Sequence, residues 1–468
     1  MRLQLLKLAA TGAALAQSRV HAHAVGHPGS RVCKPMKRDV AILGGGSSGT
    51  YTAVRLQDSG KSVVVVEADD ALGGHTETYT DPVTGQHDDF GVLTFHDLPV
   101  ARDYFARLGI PVEVVQIPPG PDPVYFDFKA RTELEDYQMR DPSAALQRYY
   151  GQLLRFPELL EGFDKLPDPV PEDLLLPFGQ FAEKYGIQDA VPILALYGQG
   201  GLDYEKTTTL YIVKYLGPTF VEGLNVGTLM TTRRNNQELY EAAYDALGPD
   251  NVLLSSTVSA AKRSKNGVRL IVVKADGSCV DIRAKKLVVS VPPTLDKLSP
   301  LGLDGTEAGL FQRFTNVSYF TGIVRNSGLP ADTSVYSVGI DSKFNLPALP
   351  GPLTITPAPI DGMTDVKYGS GLHEMSAEEA KVAIIEDLVA LTTAINSTSA
   401  EPEFVTFKAH TPFQPMVCKE DIADGFYKQL WGLQGHRQTY FTGAAWQCHV
   451  SSVLWNFTEH RILPMLLK

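Results

Sequence analysis

Residues 39–67 combine a short apolar strand, a glycine turn, a helical stretch and a second apolar strand that ends in an acid. In such a unit Gly44 permits the tight turn, Gly46 lets a pyrophosphate approach the backbone, and Gly49 lets helix and strand pack closely. The helix N-terminus supplies unpaired N–H groups for the phosphates. Glu67 stands close to the position expected of the acid that accepts hydrogen bonds from the adenosine ribose. The segment therefore predicts a dinucleotide-binding βαβ unit.

The composition is that of an ordinary folded protein. The chain has 468 residues, of which 44% are hydrophobic and 20% are charged, so we expect two closely packed domains. The net charge of −11 argues against nucleic acid and anionic membrane surfaces as partners. Beyond the N-terminal stretch, no apolar run approaches the length that a membrane span requires.

The N-terminus has the features of a signal peptide. Arg2 precedes a mostly apolar stretch from Leu3 to Ala16, and small residues at 14–16 and 22–24 offer cleavage sites after residue 16 or residue 24. We therefore expect residues 1–24 to be a signal peptide and the protein to be secreted or to reside in the lumen of the secretory pathway. A mitochondrial or unstructured leader is the alternative.

Cysteines and glycosylation triplets agree with secretion without establishing it. The cysteines allow three pairings, among which the sequence does not choose; they are Cys33, Cys279, Cys418 and Cys448. Three Asn-x-Ser/Thr triplets begin at Asn316, Asn396 and Asn456. Of the three asparagines, Asn396 is the one most expected to carry a glycan, because its triplet lies in a polar turn.

A second glycine pair indicates which dinucleotide is bound. Gly73 and Gly74 follow Glu67 too closely for a typical NAD domain and suggest a chain crossing over a longer, extended cofactor such as FAD. Residues 251–293 predict a β-hairpin that returns to a buried parallel strand, and residues 439–443 predict a strand ending in a glycine turn. The predicted fold class is α/β, a Rossmann-like FAD-binding domain with an inserted α+β substrate domain.

The two predicted domains are discontinuous in sequence. The FAD-binding domain takes residues 37–97, 248–299 and 431–468, and the substrate domain takes residues 98–247 and 300–430. In the substrate domain the apolar periodicity predicts helices near 144–160, 177–196 and 376–395. Residues 198–201 contain three glycines, Gly198, Gly200 and Gly201. Because these glycines follow no clear strand, the segment is predicted to be a loop.

In their order along the chain, these features resemble the flavin amine oxidase superfamily over nearly the whole mature length. The resemblance rests on the segments 44–67, 73–74, 258, 289–292 and 441–444. Within the superfamily the chain is most similar to the fungal β-cyclopiazonate dehydrogenase family, through its leader and the Leu-Gly-Gly-His-Thr segment at 72–76. The resemblance implies an FAD-dependent enzyme that oxidises a small metabolite by two electrons, including by oxidative cyclisation, in fungal secondary metabolism.

The resemblance also implies which residues bind FAD. In chain order these are Gly44, Gly46, Ser48 and Gly49 at the pyrophosphate, Glu67 at the ribose, Gly74 and His75 around the pyrophosphate and ribityl chain, Val258 at the adenine edge, Gly443 and Ala444 at the terminal turn, and Val450 near the flavin. His75 replaces the usual arginine, and Ala444 replaces the usual acid. These departures leave FAD binding in place and make amine oxidation less secure.

His449 is the predicted catalytic residue, with a proton-handling or oxyanion-stabilising role beside the flavin. The alternative is a histidine that caps the last helix or only hydrogen-bonds the cofactor. An apolar or aromatic substrate is expected, and the candidates for an aromatic pocket are Tyr319, Phe320, Trp446 and Trp455. For each of them taken singly, packing in the core is the favoured alternative. No metal site is expected, and non-covalent FAD is favoured over attachment through Cys448 or His75.

The sequence contains no second glycine fingerprint, so the electrons are expected to come from the substrate rather than from NADPH, and to pass to oxygen or another acceptor. Two alternatives use the same fold: a flavin-dependent isomerase of an unsaturated fatty acid or related lipid, and an amine oxidase. A plain NAD-dependent dehydrogenase would leave Gly73 and Gly74 unexplained. A non-catalytic flavin-binding protein would show no substrate-driven bleaching of the flavin.

Overall fold

The computed structural model describes residues 33–116, 123–198, 201–397 and 401–468. The predicted signal peptide, residues 1–24, lies outside these ranges, as do Thr398 of the second glycosylation triplet and residues 199–200 of the predicted loop.

The strands, in chain order, are β1 (Lys34–Leu43), β2 (Val63–Val66), β3 (Thr78–Thr80), β4 (His87–Asp89), β5 (Val112–Val115), β6 (Val124–Asp127), β7 (Thr132–Glu133), β8 (Thr228–Thr231), β9 (Val252–Leu253), β10 (Ser256–Ser264), β11 (Gly267–Lys274), β12 (Cys279–Val289), β13 (Thr315–Arg325), β14 (Val335–Ser337), β15 (Gly351–Pro357), β16 (Met363–Gly369), β17 (Glu403–Met416) and β18 (Thr439–Phe441).

The α-helices are α1 (Ser47–Asp58), α2 (Pro99–Leu108), α3 (Ser143–Leu153), α4 (Glu172–Leu175), α5 (Phe178–Tyr185), α6 (Val191–Tyr197), α7 (Thr209–Tyr215), α8 (Pro218–Val226), α9 (Gln237–Leu247), α10 (Leu295–Leu298), α11 (Gly305–Phe311), α12 (Ala377–Ala394), α13 (Lys419–Ala423), α14 (Phe426–Trp431), α15 (Ser451–Phe457) and α16 (Leu463–Leu467).

The first sheet contains the predicted βαβ unit. Its strand order is β10-β11-β12-β1-β2-β9, and β18 is added beside β12. Strands β1, β2, β9, β12 and β18 run parallel, whereas β10 and β11 form an antiparallel excursion that returns to β12. The four valines of β2 are all buried, as expected for a parallel strand covered on both faces. The predicted hairpin that returns to a buried parallel strand is confirmed.

The strand register fixes where a ligand binds this sheet. Leu43 is aligned with Val66 and with Val289, and Val289 is aligned with Phe441. Four parallel strands therefore end at one edge, and the glycine turns that follow them converge there. In open α/β sheets this edge is the place where dinucleotides bind.

The second sheet has the order β17-β13-β16-β15-β14-β6-β7. Helix α12 packs on it with Ala380, Ile384, Leu388 and Leu391, which lie at helical spacing and are fully buried. The helix begins with a capping box between Ser376 and Glu379. The helix predicted at 376–395 is thus confirmed.

The other two predicted helices were wrong in extent. The helix predicted near 144–160 ends at Leu153 and is followed by a 3-10 turn from Pro157 to Glu161. It ends there because a proline disfavours the α conformation in the residue before it. The second is divided into α5 and α6: Gly186, in the left-handed conformation with a φ of 64°, closes α5.

All strands of the first sheet begin and end within residues 34–66, 252–289 and 439–441, and those of the second within 124–133 and 315–416. The domain limits given above stay predictions at the level of single residues. A disulfide joins Cys33 to Cys279 and so ties the start of β1 to the start of β12; Cys418 is exposed and Cys448 is buried, both as thiols. Among the residues that the structure describes, no helix combines the length and the apolar character of a membrane span.

Candidate functional site

The turn after β1 accepts only glycine at two positions. Gly44 has a φ of +99°, and a Cβ there would lie 2.7 Å from the Ser290 hydroxyl. A Cβ on Gly49 would lie 2.1 Å from the carbonyl oxygen of Gly44, so α1 starts directly against the end of β1. Gly49 thus has the packing role expected of the third glycine, and it does not line the cofactor cleft described below.

The second glycine pair packs against the first turn. Gly73 donates from its N–H to the Gly45 carbonyl at 3.0 Å, and Gly46 and Gly73 form a parallel bridge. Gly74 has a φ of +62°, and a Cβ on it would lie 2.9 Å from the Gly46 Cα. The two loops therefore enclose the N-terminus of α1 with backbone atoms.

Glu67 lies at the end of β2, where an adenosine ribose is expected. One carboxylate oxygen accepts from the Gly45 N–H and the other from the Asp69 N–H at 2.9 Å, and burial raises the pKa of the carboxyl. The Ser256 N–H donates to the Glu67 carbonyl at 2.8 Å, which places β10 beside this end. Val258, two residues further on, is buried in β10 and lies outside the lining of the cleft.

The glycine turns enclose a cleft of about 190 Å³. It is lined by Gly44, Gly46, Ser47, Ser48, Glu67, Gly73, Gly74, His75, Thr76, Val92, Ser290, Val291, Pro292, Pro293, Pro415, Thr442, Gly443, Ala444, Ala445, Trp446, His449, Ser451 and Leu454. Three of its polar atoms are buried without a hydrogen-bond partner: Ser47 Oγ, Thr76 Oγ1 and Trp446 Nε1. Buried polar atoms need partners, so this cleft fits a polar cofactor.

A dinucleotide such as FAD would be held in this cleft by backbone groups more than by charged side chains. No described residue in its lining is a lysine or arginine, so the N-terminus of α1, at Gly46, Ser47 and Ser48, is the expected pyrophosphate site. At the other end Gly443 has a φ of +102°, and a Cβ there would lie 3.2 Å from the Ser290 carbonyl. Ala444 lines the cleft beside it, where it offers no side-chain acceptor.

Three histidines stack where this cleft meets a larger cavity. The His75 ring lies 4.3 Å from the His410 ring and 5.6 Å from the His449 ring, centroid to centroid, and Phe413 stacks on His449 at 4.0 Å. Burial lowers the pKa of His75 to about 4 and the pKa values of His410 and His449 well below the usual range. All three imidazoles are therefore neutral at physiological pH.

The tautomer of His449 follows from its contact with β17. The Gln414 N–H donates to His449 Nε2 at 3.1 Å, so Nε2 is the acceptor and Nδ1 carries the proton. His449 lines both the cleft and the cavity, and Val450, which precedes the first residue of α15, lines the cavity. The side chain thus offers one N–H donor at the junction.

The larger cavity has a volume of about 570 Å³. It is lined by His75, Gly91, Val92, Leu93, Thr94, His96, Val115, Gln116, Tyr197, Tyr215, Leu216, Phe220, Gly223, Leu224, Thr228, Tyr319, His410, Phe413, His449, Val450 and Ser451. It shares His75, Val92, His449 and Ser451 with the cofactor cleft. Among the described residues of this lining there is no Asp, Glu, Lys or Arg, so the walls are uncharged and mainly apolar and aromatic.

The prediction of pocket aromatics was correct in part. Tyr319 lines the cavity, and Trp446 lines the cofactor cleft instead. For Phe320 and Trp455 the core alternative is the correct one: Phe320 is fully buried in the core beneath α12, and Trp455 is fully buried against α1, where its indole N–H donates to the Ser47 carbonyl at 3.2 Å. Cys448 lines neither space.

Sequence reasoning missed His410 and Phe413 on β17 and His96 after β4. Each lies outside any motif, and only the pairing of β17 with β13, in which His410 is aligned with Tyr319, brings the first two to the larger cavity. His96 was a lone histidine among apolar residues. No sequence signal separates such a residue from a core histidine.

A buried polar cluster supports the cavity wall from behind. Lys367 donates to the Phe90 carbonyl and, at 2.8 Å, to the Thr321 hydroxyl; Phe90 directly precedes the wall residues 91–94. Asp88 and Asp365 lie within hydrogen-bonding reach of each other, and each has a buried oxygen without a partner. Burial raises the pKa of both carboxyls, so a proton shared between them satisfies both oxygens.

One group of possible metal ligands, Asp304, Glu307 and His436, occurs among the described residues. Glu307 is fully buried, and its two oxygens accept from the Arg263 guanidinium at 2.7 Å each. His436 Nε2 lies 2.6 Å from Asp304 Oδ2. These residues form an ion-pair network with Arg263. The expectation that the protein binds no metal stays a prediction.

Comparison with known proteins agrees with this geometry. The family described as flavin containing amine oxidoreductase matches residues 47–325. The chain is 40% identical to the FAD-dependent oxidoreductase oblC of Cochliobolus heterostrophus, with 92% of this chain and 91% of that protein covered. It is 37% identical to the β-cyclopiazonate dehydrogenase of Aspergillus oryzae, with 91% and 92% covered.

Two solved structures show the same fold at low identity. A fatty acid isomerase from P. acnes that produces CLA has a TM-score of 0.74 at 19% identity, with 91% of this chain and 98% of that chain covered. Putrescine oxidase bound to putrescine has a TM-score of 0.63 at 18% identity, with 93% and 100% covered. At these identities the likeness extends to architecture alone.

Proposed function

The chain belongs to the flavin-containing amine oxidoreductase family and is an FAD-dependent oxidoreductase that acts on a small molecule; on that premise we propose that it dehydrogenates a neutral, largely apolar or aromatic compound of secondary metabolism. The observation that carries the proposal is the junction of two spaces. A backbone-lined cofactor cleft opens, beside His75 and His449, into an uncharged cavity of about 570 Å³.

The uncharged walls support a neutral substrate. An ammonium group taken from water into such a cavity needs a carboxylate or another anion beside it, and the described lining contains none. The aromatic rings of Tyr215, Tyr319, Phe220 and Phe413 instead suit a flat apolar ring system. Amine oxidation, the alternative suggested by the family, is therefore not the activity that we propose.

The residues where the cofactor cleft meets the cavity have separate roles in the reaction. Bound FAD supplies acceptance of a hydride from a substrate C–H bond. The apolar walls hold that carbon and exclude water. Because the lone pair of His449 Nε2 is occupied by the Gln414 N–H, His449 acts as a hydrogen-bond donor through Nδ1, toward a substrate oxygen that carries negative charge after its proton has passed to solvent and before the hydride leaves the carbon. The hydrogen bond from Gln414 therefore favours the oxyanion-stabilising role of His449 over the role of general base.

The test is anaerobic flavin reduction in the His449→Ala variant. The probes are a panel of neutral aromatic metabolites, with β-cyclopiazonate, the anion that gives its name to a 37% identical relative, as the charged comparison. Loss of one donor aimed at developing charge should slow flavin reduction by roughly 100-fold, while flavin occupancy falls far less. His460→Ala, a change of an exposed histidine near the same end of the chain, is the matched control.

Equal losses of reduction rate and flavin occupancy in His449→Ala would return this residue to a structural role. A substrate that is converted without oxygen uptake and without change of mass would replace dehydrogenation with isomerisation. Readmission of air to the reduced enzyme shows whether oxygen is the acceptor that completes the cycle; a flavin that stays reduced would mean that another carrier takes the electrons.

The secretory location belongs to the same proposal. It is supported by the disulfide between Cys33 and Cys279, because such bonds persist in oxidising compartments, and by the predicted signal peptide. Expression of the full chain in a fungal host, followed by mass spectrometry of the culture medium, tests it. Retention of residues 1–24 on protein found only inside the cell would contradict it.

A further inference from the structure

His96 is a second polar group of the cavity, apart from the three stacked histidines. Its Nδ1 lies 2.8 Å from the Thr219 hydroxyl on α8. The residue lines the cavity and does not line the cofactor cleft. It therefore faces a part of the substrate that does not lie over the cofactor.

The position of the His96 ring is fixed by its neighbours in the chain. Phe95 exchanges two backbone hydrogen bonds with Leu229 of β8, at 2.9 and 2.8 Å, and its own ring stacks on Trp455 at 5.4 Å. Both Phe95 and Trp455 are fully buried. The imidazole is thus held in place before any ligand arrives, which is the condition for a selective contact.

One ring nitrogen of His96 is left for a ligand. Burial lowers the pKa of His96 to about 4, so the ring is neutral. The Thr219 hydroxyl occupies Nδ1, and His96 Nε2 makes no hydrogen bond within the described part of the chain. The Thr219 hydroxyl makes no other hydrogen bond within the described part of the chain, so we assign it as the donor to Nδ1; the ring proton is then on Nε2 and available to an acceptor.

A second polar atom lies on the same side of the cavity. Thr228, on β8 next to Leu229, lines the cavity, and its hydroxyl oxygen is buried without a partner. Its methyl group packs toward Gly223 of α8, where a Cβ would lie 3.1 Å away. This side of the cavity therefore carries two uncharged polar groups, His96 and Thr228, beside the apolar residues of α8.

We propose that His96, oriented by Thr219, is a specificity-determining residue that donates a hydrogen bond to an uncharged oxygen, carbonyl or hydroxyl, on a part of the substrate remote from the reacting carbon. The inference rests on the proposed function, since it assigns the substrate class of that same cavity. The substrate is then a neutral ring compound with an oxygen substituent, and a hydrocarbon of the same shape is rejected because it leaves the buried Nε2–H unpaired.

The test uses the holoenzyme and two tricyclic probes of the same shape, 9-fluorenone with a ring carbonyl and fluorene without it. Binding is followed by the change that each probe causes in the visible spectrum of the flavin. The wild-type protein should bind 9-fluorenone about 10-fold more tightly than fluorene. In His96→Phe, which keeps a ring of similar size, the ratio should fall to about one, mainly because fluorene binds more tightly.

Three further variants separate a specificity contact from a structural one. Thr219→Val removes the partner of Nδ1 and should lower the ratio, whereas Thr219→Ser should restore it. His449→Ala removes the donor at the cofactor end and should leave the ratio unchanged.

Each remaining outcome overturns a stated part of the argument. If His96→Phe weakens both probes equally, the residue is structural. If the ratio of the two affinities falls to one in His449→Ala and persists in His96→Phe, the protein recognises the carbonyl at the cofactor end of the cavity. If the wild type binds both probes equally, the inference about His96 fails and the proposed function stands. If neither probe changes the flavin spectrum, the proposed substrate class fails and the inference fails with it.

Discussion

The cofactor cleft and the substrate cavity meet at His75 and His449, yet they are built from different parts of the chain. The cleft is formed by turns at the ends of parallel strands, and its closest contacts are between backbone atoms, as between Gly46 and Gly74. The cavity is formed by side chains from three regions that are far apart in sequence: α8 with the adjacent β8, then β13, then β17.

This difference separates what the family shares from what each member does. A cleft made of backbone atoms allows almost no change at its glycines, so the cofactor is retained. A cavity made of side chains can change its walls without moving the sheet that holds the cofactor. One fold can thus serve a putrescine oxidase, a fatty acid isomerase and this chain.

Gly74→Ala gives the largest expected effect, and it tests whether the cleft depends on backbone contact. The new Cβ would lie 2.9 Å from the Gly46 Cα, so one of the two loops must move away from the N-terminus of α1. We expect flavin affinity to fall by roughly 100-fold, the size of effect that backbone strain at a special conformation produces. Flavin content and affinity are measured by absorbance and equilibrium dialysis.

The matched control is Gly277→Ala. Gly277 also has a positive φ, +79°, but a Cβ there meets nothing within 4 Å. Both variants carry the cost of an unfavourable φ, about 1–2 kcal/mol, and only Gly74→Ala adds the clash. Equal flavin affinity in the two variants would mean that the close approach of the loops is not what binds the cofactor.

Glu67→Ala should give the next largest effect, because Glu67 is the one acidic side chain among the described residues of the cleft. Its carboxylate already accepts from the Gly45 and Asp69 N–H groups, so its removal loosens the turn as well as the ribose contact. Loss of hydrogen bonds to a charged group should weaken FAD binding by roughly 10- to 100-fold. Glu67→Gln, which keeps an acceptor oxygen, should lose less, and unchanged affinity in Glu67→Ala would contradict the ribose assignment.

The same contrast explains how much could be predicted from the sequence. The turns at Gly44–Gly49 and Gly73–Gly74 could be predicted, because a glycine turn between a strand and a helix is decided by local chemistry. Apart from the start of β1, the strands of the first sheet lie in three segments whose strand character was also predicted, 39–67, 251–293 and 439–443. Only the limits of helices near Pro157 and Gly186 were misjudged, where a single residue ends the periodic pattern.

The cavity walls could not be predicted in the same way. Tyr319 and Phe320 are neighbours in β13, and alternation along a strand sends one to the cavity and the other to the core beneath α12. Residues 317–324 are all buried, so no polar side is visible that would show which of the two faces the cavity. His410 depends on the pairing of β17, which has register shifts that no local pattern reveals.

The smallest effect concerns stability rather than binding, and it compares the uncharged walls with the charges behind them. Burial and the neighbouring Asp365 raise the pKa of Asp88, so the folded protein keeps a proton that the unfolded chain releases near the ordinary value of 3.8. The folded state therefore binds more protons than the unfolded state, and this pair makes the protein less stable as the pH rises from about 4 through neutrality.

Asp88→Asn should reduce that dependence, because an amide donates to Asp365 at every pH in place of the shared proton. The free energy of unfolding at pH 8 should rise relative to wild type by about 1 kcal/mol, the contribution of one satisfied hydrogen bond, with little change at pH 5. Urea denaturation across this range measures it, and Asp332→Asn, at an exposed position, should leave the profile unchanged. A wild-type pH profile retained in Asp88→Asn would mean that Asp88 and Asp365 share no proton, and that Lys367 alone balances the charge behind the cavity wall.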